Sequence, residues 1–152
     1  MRWPTAARTF VETGAMAYLL DANVLCESSR PRPDGSVVQW LADHDGDLRL
    51  SALTLGEMIK GIHLLDQGRR RRQIEKWYER IERWAAGRIL PLDMPVMRRW
   101  GAFYARHQLC GRKLDVMDSL LAATAIEHQL ILVTRNQADF PDEVPMLNPW
   151  SS

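Results

Sequence analysis

The chain contains no long hydrophobic run. Nothing in it approaches the roughly 18 consecutive apolar residues that a membrane-spanning helix needs. It is also poor in cysteine. Cys26 and Cys110 stand far apart and in no metal-like spacing, which argues against a disulfide framework and for a reduced, cytoplasmic protein. An excess of one charge is missing too. Twenty Lys and Arg against nineteen Asp and Glu leave a net charge of +1, so only a local patch, and not a bulk field, would draw the chain to nucleic acid. The four histidines, His44, His63, His107 and His128, form no HExxH spacing. There is no G-x-S-x-G elbow, no P-loop and no GxGxxG, which removes the common hydrolase and nucleotide-binding signatures. Cys26 closely follows an apolar run and reads as a buried structural thiol.

What is present is an ordinary globular composition, with 46% hydrophobic and 26% charged residues over 152 positions, enough for one domain with a real core. The first fifteen residues, MRWPTAARTFVETGA, lack the apolar stretch of a secretory signal and precede a second methionine, Met16. Residues 1–15 are therefore expected to be a flexible extension, and 16–150 a single domain. Apolar runs at AYLL (17–20), LRL (48–50), RILPL, LILV (130–133) and near VPML read as strands. Helical spacing predicts helices over 36–44, with Ser36 as N-cap, over 51–65, through QIEKWYERIERW, over 94–109 and over 115–129. The prolines of RPRPDG at 30–35 make that segment a loop. Strands alternating with helices point to an α/β fold, its mostly parallel sheet covered on both faces.

Within that frame the acids fall unevenly. AYLL runs directly into Asp21, and LILV into Thr134, Arg135 and Asn136. Open parallel sheets bind ligands beyond the carboxyl ends of their strands, so both segments deliver polar groups to one edge. Asp118 heads a helix face of Leu121, Ala122 and Ala125, and Asp115 lies one turn earlier. Glu57 sits on a helix beside a stripe of Leu55, Met58, Ile59, Ile62 and Leu65, where Gly56 and Gly61 would permit close backbone approach. Each acid alone has a plain structural use: Asp21 as an N-cap, Asp115 or Asp118 as a helix-start acid, Glu57 as a solvated residue and Asp139 in a turn. Three separate elements sending acids to one edge argue for more than that. Gathered carboxylates repel, and a divalent cation relieves the repulsion. All-oxygen donors suit Mg²⁺ or Mn²⁺ better than Zn²⁺.

LLDANVL, LSALTLGEMIKGI, RILPLD, DVMDSLLAATAIEHQLILVTRNQADF and LNPW occur in that order across essentially all of 17–150. Together they resemble the PIN-domain family, specifically the VapC- and FitB-type toxins of bacterial toxin–antitoxin pairs. The resemblance implies a three-layer α/β/α PIN fold and a metal-dependent ribonuclease. Carried over by position, Asp21, Glu57 and Asp118 are its three acids, with Asp21 and Asp118 holding the metal. Asn136 fills a fourth position that is Asp in some relatives, which weakens the case for a second ion. The resemblance also implies a cognate DNA-binding antitoxin of the VapB or FitA kind, and a homodimer. A Mg²⁺ on Asp21 and Asp118 would activate a water for in-line attack on an RNA phosphodiester.

Phosphate contacts are expected from Lys60, Arg112, Lys113 and Arg135, the cations nearest the acids in sequence. The run GRRRR at 68–72 reads equally as a solvated helix start. Trp77, Tyr78, Ile81 and Trp84 form an aromatic stripe, which reads as core first and as a partner groove second. Two other functions remain open. One is a phosphotransferase with Asp21 as nucleophile, although Asn23 stands where a second acid would serve it. The other is a catalytically weak PIN module acting through a partner protein or nucleic-acid binding.

Overall fold

A computed structural model describes residues 16–151. The proposed extension over 1–15 lies outside the described residues. Strand β1 (Tyr18–Leu20) leads through α1 (Ala22–Glu27) and α2 (Gly35–Asp43) to β2 (Leu48–Ser51). Helices α3 (Ala52–His63) and α4 (Arg69–Ala85) follow, then β3 (Ile89–Leu90), α5 (Met94–Leu109) and α6 (Val116–Glu127). Strands β4 (Ile131–Val133) and β5 (Met146–Leu147) complete the sheet. Its order is β3-β2-β1-β4-β5, and every pairing is parallel.

The three layers follow from the two-residue period of a strand. In β1, Leu19 faces a cluster with Phe103, Leu121, Ala122 and Leu132. Its neighbour Leu20 faces the opposite cluster, with Val24, Leu25, Leu41, Leu55 and Tyr78. In β4, Leu132 and Val133 divide in the same way. Helices α5 and α6 therefore cover one face, and α1 to α4 the other. Because both faces are buried, these strands are apolar throughout, as the sequence suggested.

Local capping corrects several expected boundaries. The N-cap of α2 is Asp34, whose Oδ1 accepts from the backbone N–H groups of Ser36 and Val37 at 2.9 and 3.3 Å. Ser36, expected as the cap, lies inside the first turn, because a carboxylate one position before Gly35 satisfies the free donors first. Helix α3 is capped by Ser51, whose hydroxyl accepts from Leu53 N. Leu55, Met58 and Ile62 of the expected stripe are buried, whereas Ile59 is 40% exposed. At about 100° per residue, Ile59 lies about 40° beyond Leu55, past the edge of the buried arc. Among the described residues no other backbone closes on Gly56 or Gly61, since a Cβ at either would meet nothing within 4 Å.

The aromatic stripe of α4 divides. Tyr78, Ile81 and Trp84 are buried in the core, while Ile74 and Trp77 pack against its margin. The Trp84 indole N–H donates to Asp45 Oδ1 at 2.7 Å, and the buried Arg88 pairs with the same carboxylate at 3.2 Å. The far end of α4 is thereby committed to the interior.

Candidate functional site at the carboxyl edge of the sheet

The chain leaves β1 for β2 and β3 on one side, then returns to place β4 on the other. Strand β1 and β4 therefore flank the point where the winding reverses, the crevice in which open parallel sheets place their ligands. Leu20 pairs with Val133, and the Asp21 N–H donates to Val133 O at 3.0 Å. That register sets the next residue of each strand, Asp21 and Thr134, side by side.

Asp21 is both a cap and a wall of the cleft. It is the N-cap of α1, its Oδ1 accepting from Ala22 N at 2.7 Å. Its Oδ2 accepts from Thr134 Oγ1 at 2.8 Å and from Asn23 Nδ2 at 3.2 Å. The two uses are compatible because a carboxylate offers about four lone-pair sites.

Thr134 and Asn23 hold this arrangement together, and sequence reasoning gave neither a role. Thr134 is fully buried. Its hydroxyl donates to Asp21 and accepts from Asn136 N at 3.1 Å and Asn23 Nδ2 at 3.3 Å, the full capacity of a hydroxyl. Asn23 Oδ1 accepts from Arg135 N at 3.3 Å. The loop after β4 is thus tied to the loop after β1. The signal available in sequence was the pair of polar residues following two apolar strands.

A cleft of about 540 Å³ opens beside this network. Asp21, Asn23, Glu57, Asp118 and Asn136 line it, together with Lys60. The four residues expected at the centre are therefore brought to one cavity. Glu57 reaches it from the flank of the buried stripe on α3. Asp118 reaches it from the first turn of α6, where Asp115 is the N-cap and its Oδ1 accepts from Asp118 N at 3.0 Å. Of the expected phosphate-binding cations, Lys60 lines the cleft. Arg112 and Lys113 lie exposed on the loop before α6, outside the lining. Arg135 lies over the Trp150 ring, 5.1 Å from its centroid. Cys26 corrects an expectation: it is exposed at the cleft edge, because α1 turns that side of the helix away from the core. Desolvation by its surroundings and the Asp21 charge raise its thiol pKa, keeping it protonated and a poor nucleophile.

The acids act on one another. Asp118 is pushed up to about 6, first by burial and then by Asp115, Asp21, Asp139 and Glu57. Burial also raises Glu57, with Asp21 and Asp115 adding to it and Lys60 opposing. Burial raises Asp21, and its bonds from Thr134, Ala22 N and Asn23 draw it part of the way back. Asp139, exposed in a 3₁₀ turn (Gln137–Asp139), contributes its charge without lining the cleft. Among the described residues no three or more His, Cys, Asp or Glu side chains are placed together to hold a metal ion. The donors do fit a cation that keeps several waters and binds through one or two carboxylates, as Mg²⁺ does. Asp21 and Asp118 could hold such an ion, with Glu57 and Asn136 facing its waters.

A model of the PIN domain matches residues 18–142. The chain belongs to the PIN-domain family. Toxin FitB of Neisseria gonorrhoeae is 36% identical over 138 residues, spanning 87% of this chain and 97% of FitB. The VapC ribonuclease Y4jK of Sinorhizobium fredii is 31% identical over 135 residues, spanning 87% of this chain and 96% of its own length. A structure of FitAB bound to a DNA fragment matches with a TM-score of 0.80 at 36% identity, covering 88% of this chain and 95% of that one. The expected three-layer PIN fold is present, with a sheet that is parallel throughout. The VapC and FitB resemblance read from the motifs agrees with these relatives.

The raised Asp118 pKa has a direction in stability. Between its ordinary value of 3.8 and about 6 the folded state binds more protons than the unfolded one, so this group's contribution falls as pH rises through that window. In chelator, Asp118→Asn should therefore gain in melting temperature over wild type as pH is raised from about 4 to 7; a difference constant across that range would contradict the shift. On the reading that Asp21 of this PIN domain holds a divalent ion, Thr134→Val should also weaken Mn²⁺ binding by about 10–100-fold, the usual cost of losing a partner behind a ligand. Calorimetric titration checks it, and Thr134→Ser should restore binding.

Proposed function

We propose that this PIN domain is a Mg²⁺- or Mn²⁺-dependent endoribonuclease and the toxin of a toxin–antitoxin pair. The observation that carries the proposal is the convergence of Asp21, Glu57 and Asp118, from three different elements, on one cleft in which burial, with the Asp21 charge adding to it, raises the pKa of Glu57 and of Asp118. Packing alone gives no reason to assemble such repulsion at a sheet edge.

Asp21 and Asp118 would hold the cation, which when bound supplies Lewis acidity toward a phosphodiester oxygen and lowers the pKa of a water. Glu57, its pKa raised by burial and by the Asp21 charge, would accept a proton from the attacking water. The Asn136 side chain orients that water by hydrogen bonding. Lys60 neutralises charge on the flanking phosphate, and Arg135 contacts the backbone further along from its place on the β4 loop. Arg112 and Lys113 extend the basic surface on the α6 side. One Asn in the set of four favours a single strongly held ion over a two-ion clamp, which needs two metals roughly 3.5–4 Å apart.

The partner is a DNA-binding antitoxin of the VapB or FitA kind. The relatives support this, since the similar FitAB structure is itself an assembly bound to DNA. A homodimer and a cytoplasmic location complete the proposal, with residues 16–150 acting as one domain. Among the described residues no helix is long and apolar enough to cross a membrane. Asn136 favours one alternative, a PIN module with weak turnover that acts mainly by binding its partner or a nucleic acid.

RNA cleavage separates the two. The wild-type protein should cut single-stranded RNA with added Mg²⁺ or Mn²⁺ and stop in chelator. Asp21→Asn and Asp118→Asn should each lower the rate by roughly 100-fold or more with the fold retained. Full activity in a folded Asp118→Asn protein would rule the assignment out, and inactive wild type that still binds RNA would favour the module.

A further inference from the structure

The cleft is larger than an ion and its waters require. Six waters at roughly 30 Å³ each occupy about a third of its 540 Å³. The same cavity is also lined by Arg70, Ile74 and Trp77 of α4. Buried Met58 and Ile62 add apolar surface to its lining, and exposed Arg70 adds a cation.

The four arginines that open α4 have different situations. Arg71 is used internally: it bonds Glu75 Oε1 at 2.8 Å and Leu65 O at 3.3 Å, and it contacts His63. Arg70 faces the cleft, and among the described residues no carboxylate lies within ion-pair distance of it. Arg72 is exposed and outside the lining, about 200° around the helix from Arg70. Arg70 thus shares a cavity with Asp21, Glu57 and Asp118 while, among the described residues, pairing with no carboxylate. Trp77, for its part, is held in place: its indole N–H donates to Ser28 Oγ at 3.3 Å, and part of the ring lines the cleft.

A fixed aromatic surface next to an unpaired cation, continuous with a phosphodiester-cleaving centre, suits a single-stranded nucleotide. Bases stack on aromatic faces whatever their identity, and the adjoining phosphate takes the cation. We propose that Arg70 and Trp77 form a subsite for single-stranded RNA, holding a nucleotide beside the scissile phosphate. The subsite rests on the ribonuclease proposal and deepens it. It also splits the GRRRR run into one substrate contact, one structural residue and two solvated ones.

The test uses the full chain carrying Asp118→Asn, so that RNA survives, and follows a short fluorescently labelled single-stranded oligoribonucleotide by anisotropy over a range of salt. Arg70→Ala should weaken binding and make the salt slope shallower by about 0.7, the loss of one phosphate contact on a single strand. Arg72→Ala, the same charge on the other side of the helix, should change affinity less than Arg70→Ala. Trp77→Leu should weaken binding by at least about fivefold, and Trp77→Phe, which keeps an aromatic face, should retain most of it. Thermal melts confirm that each variant is folded. Equal affinity and equal salt slope in Arg70→Ala and Arg72→Ala would overturn the subsite, leaving this part of the cleft to a protein partner. If wild type cleaves RNA under those circumstances, the ribonuclease proposal stands without the subsite. No RNA binding and no cleavage would remove both.

Discussion

Repulsion among carboxylates at the end of a parallel sheet is the constraint on which the rest of this molecule turns. The pairing of Leu20 with Val133 puts Asp21 beside the β4 loop, and the packing of α3 and α6 brings Glu57 and Asp118 to the same cleft. Each step is dictated by burying apolar residues on two sheet faces. The outcome is unfavourable for the charged form of Asp118, which burial first and then its acidic neighbours push up to about 6. The fold holds this charge in place with neutral donors. Thr134, Asn23 and the amides of Ala22 and Asn136 are linked in one network around Asp21, and among the described residues no cationic side chain bonds its carboxylate.

The cleft is lined by acids and by a basic, aromatic set, and α4 supplies the second. Its C-terminal half is fixed in the core by Tyr78, Ile81 and Trp84. Its N-terminal half carries Arg70, Ile74 and Trp77 to the cavity. One helix thus serves as a structural wall at one end and as a basic, aromatic border at the other. The choice between core and groove for its aromatic stripe was not a single choice, because the stripe drifts from one environment to the other along the helix.

Much of this was legible in the sequence, for physical reasons. Strands buried on both faces are uninterrupted apolar runs, so AYLL and LILV were recognisable. A polar residue directly after such a run must lie at the sheet edge, which located Asp21 and Asn136. What sequence could not supply was direction around a helix axis and the identity of hydrogen-bond partners. Ile59 fits the period of the α3 stripe yet falls just outside the buried arc. Cys26 follows a buried strand yet faces the cleft edge. Arg112 and Lys113 are close to Asp118 along the chain but not along the cavity wall. Asp34 displaced Ser36 as a cap because a competing carboxylate stood two residues earlier. Thr134, the hub of the network, looks like any threonine ending a strand until its three partners are seen together.

The most direct measurement is a calorimetric titration of the metal-free wild-type protein with Mn²⁺ at about pH 7.5 and again at about pH 5. Carboxylates assembled to receive a cation should give saturable binding at the higher pH. At the lower pH the affinity should fall, with proton release on binding, because Asp118 is then largely protonated. A folded protein that shows no saturable binding at pH 7.5, or the same affinity at both, would contradict the central claim that these acids are gathered for a divalent ion.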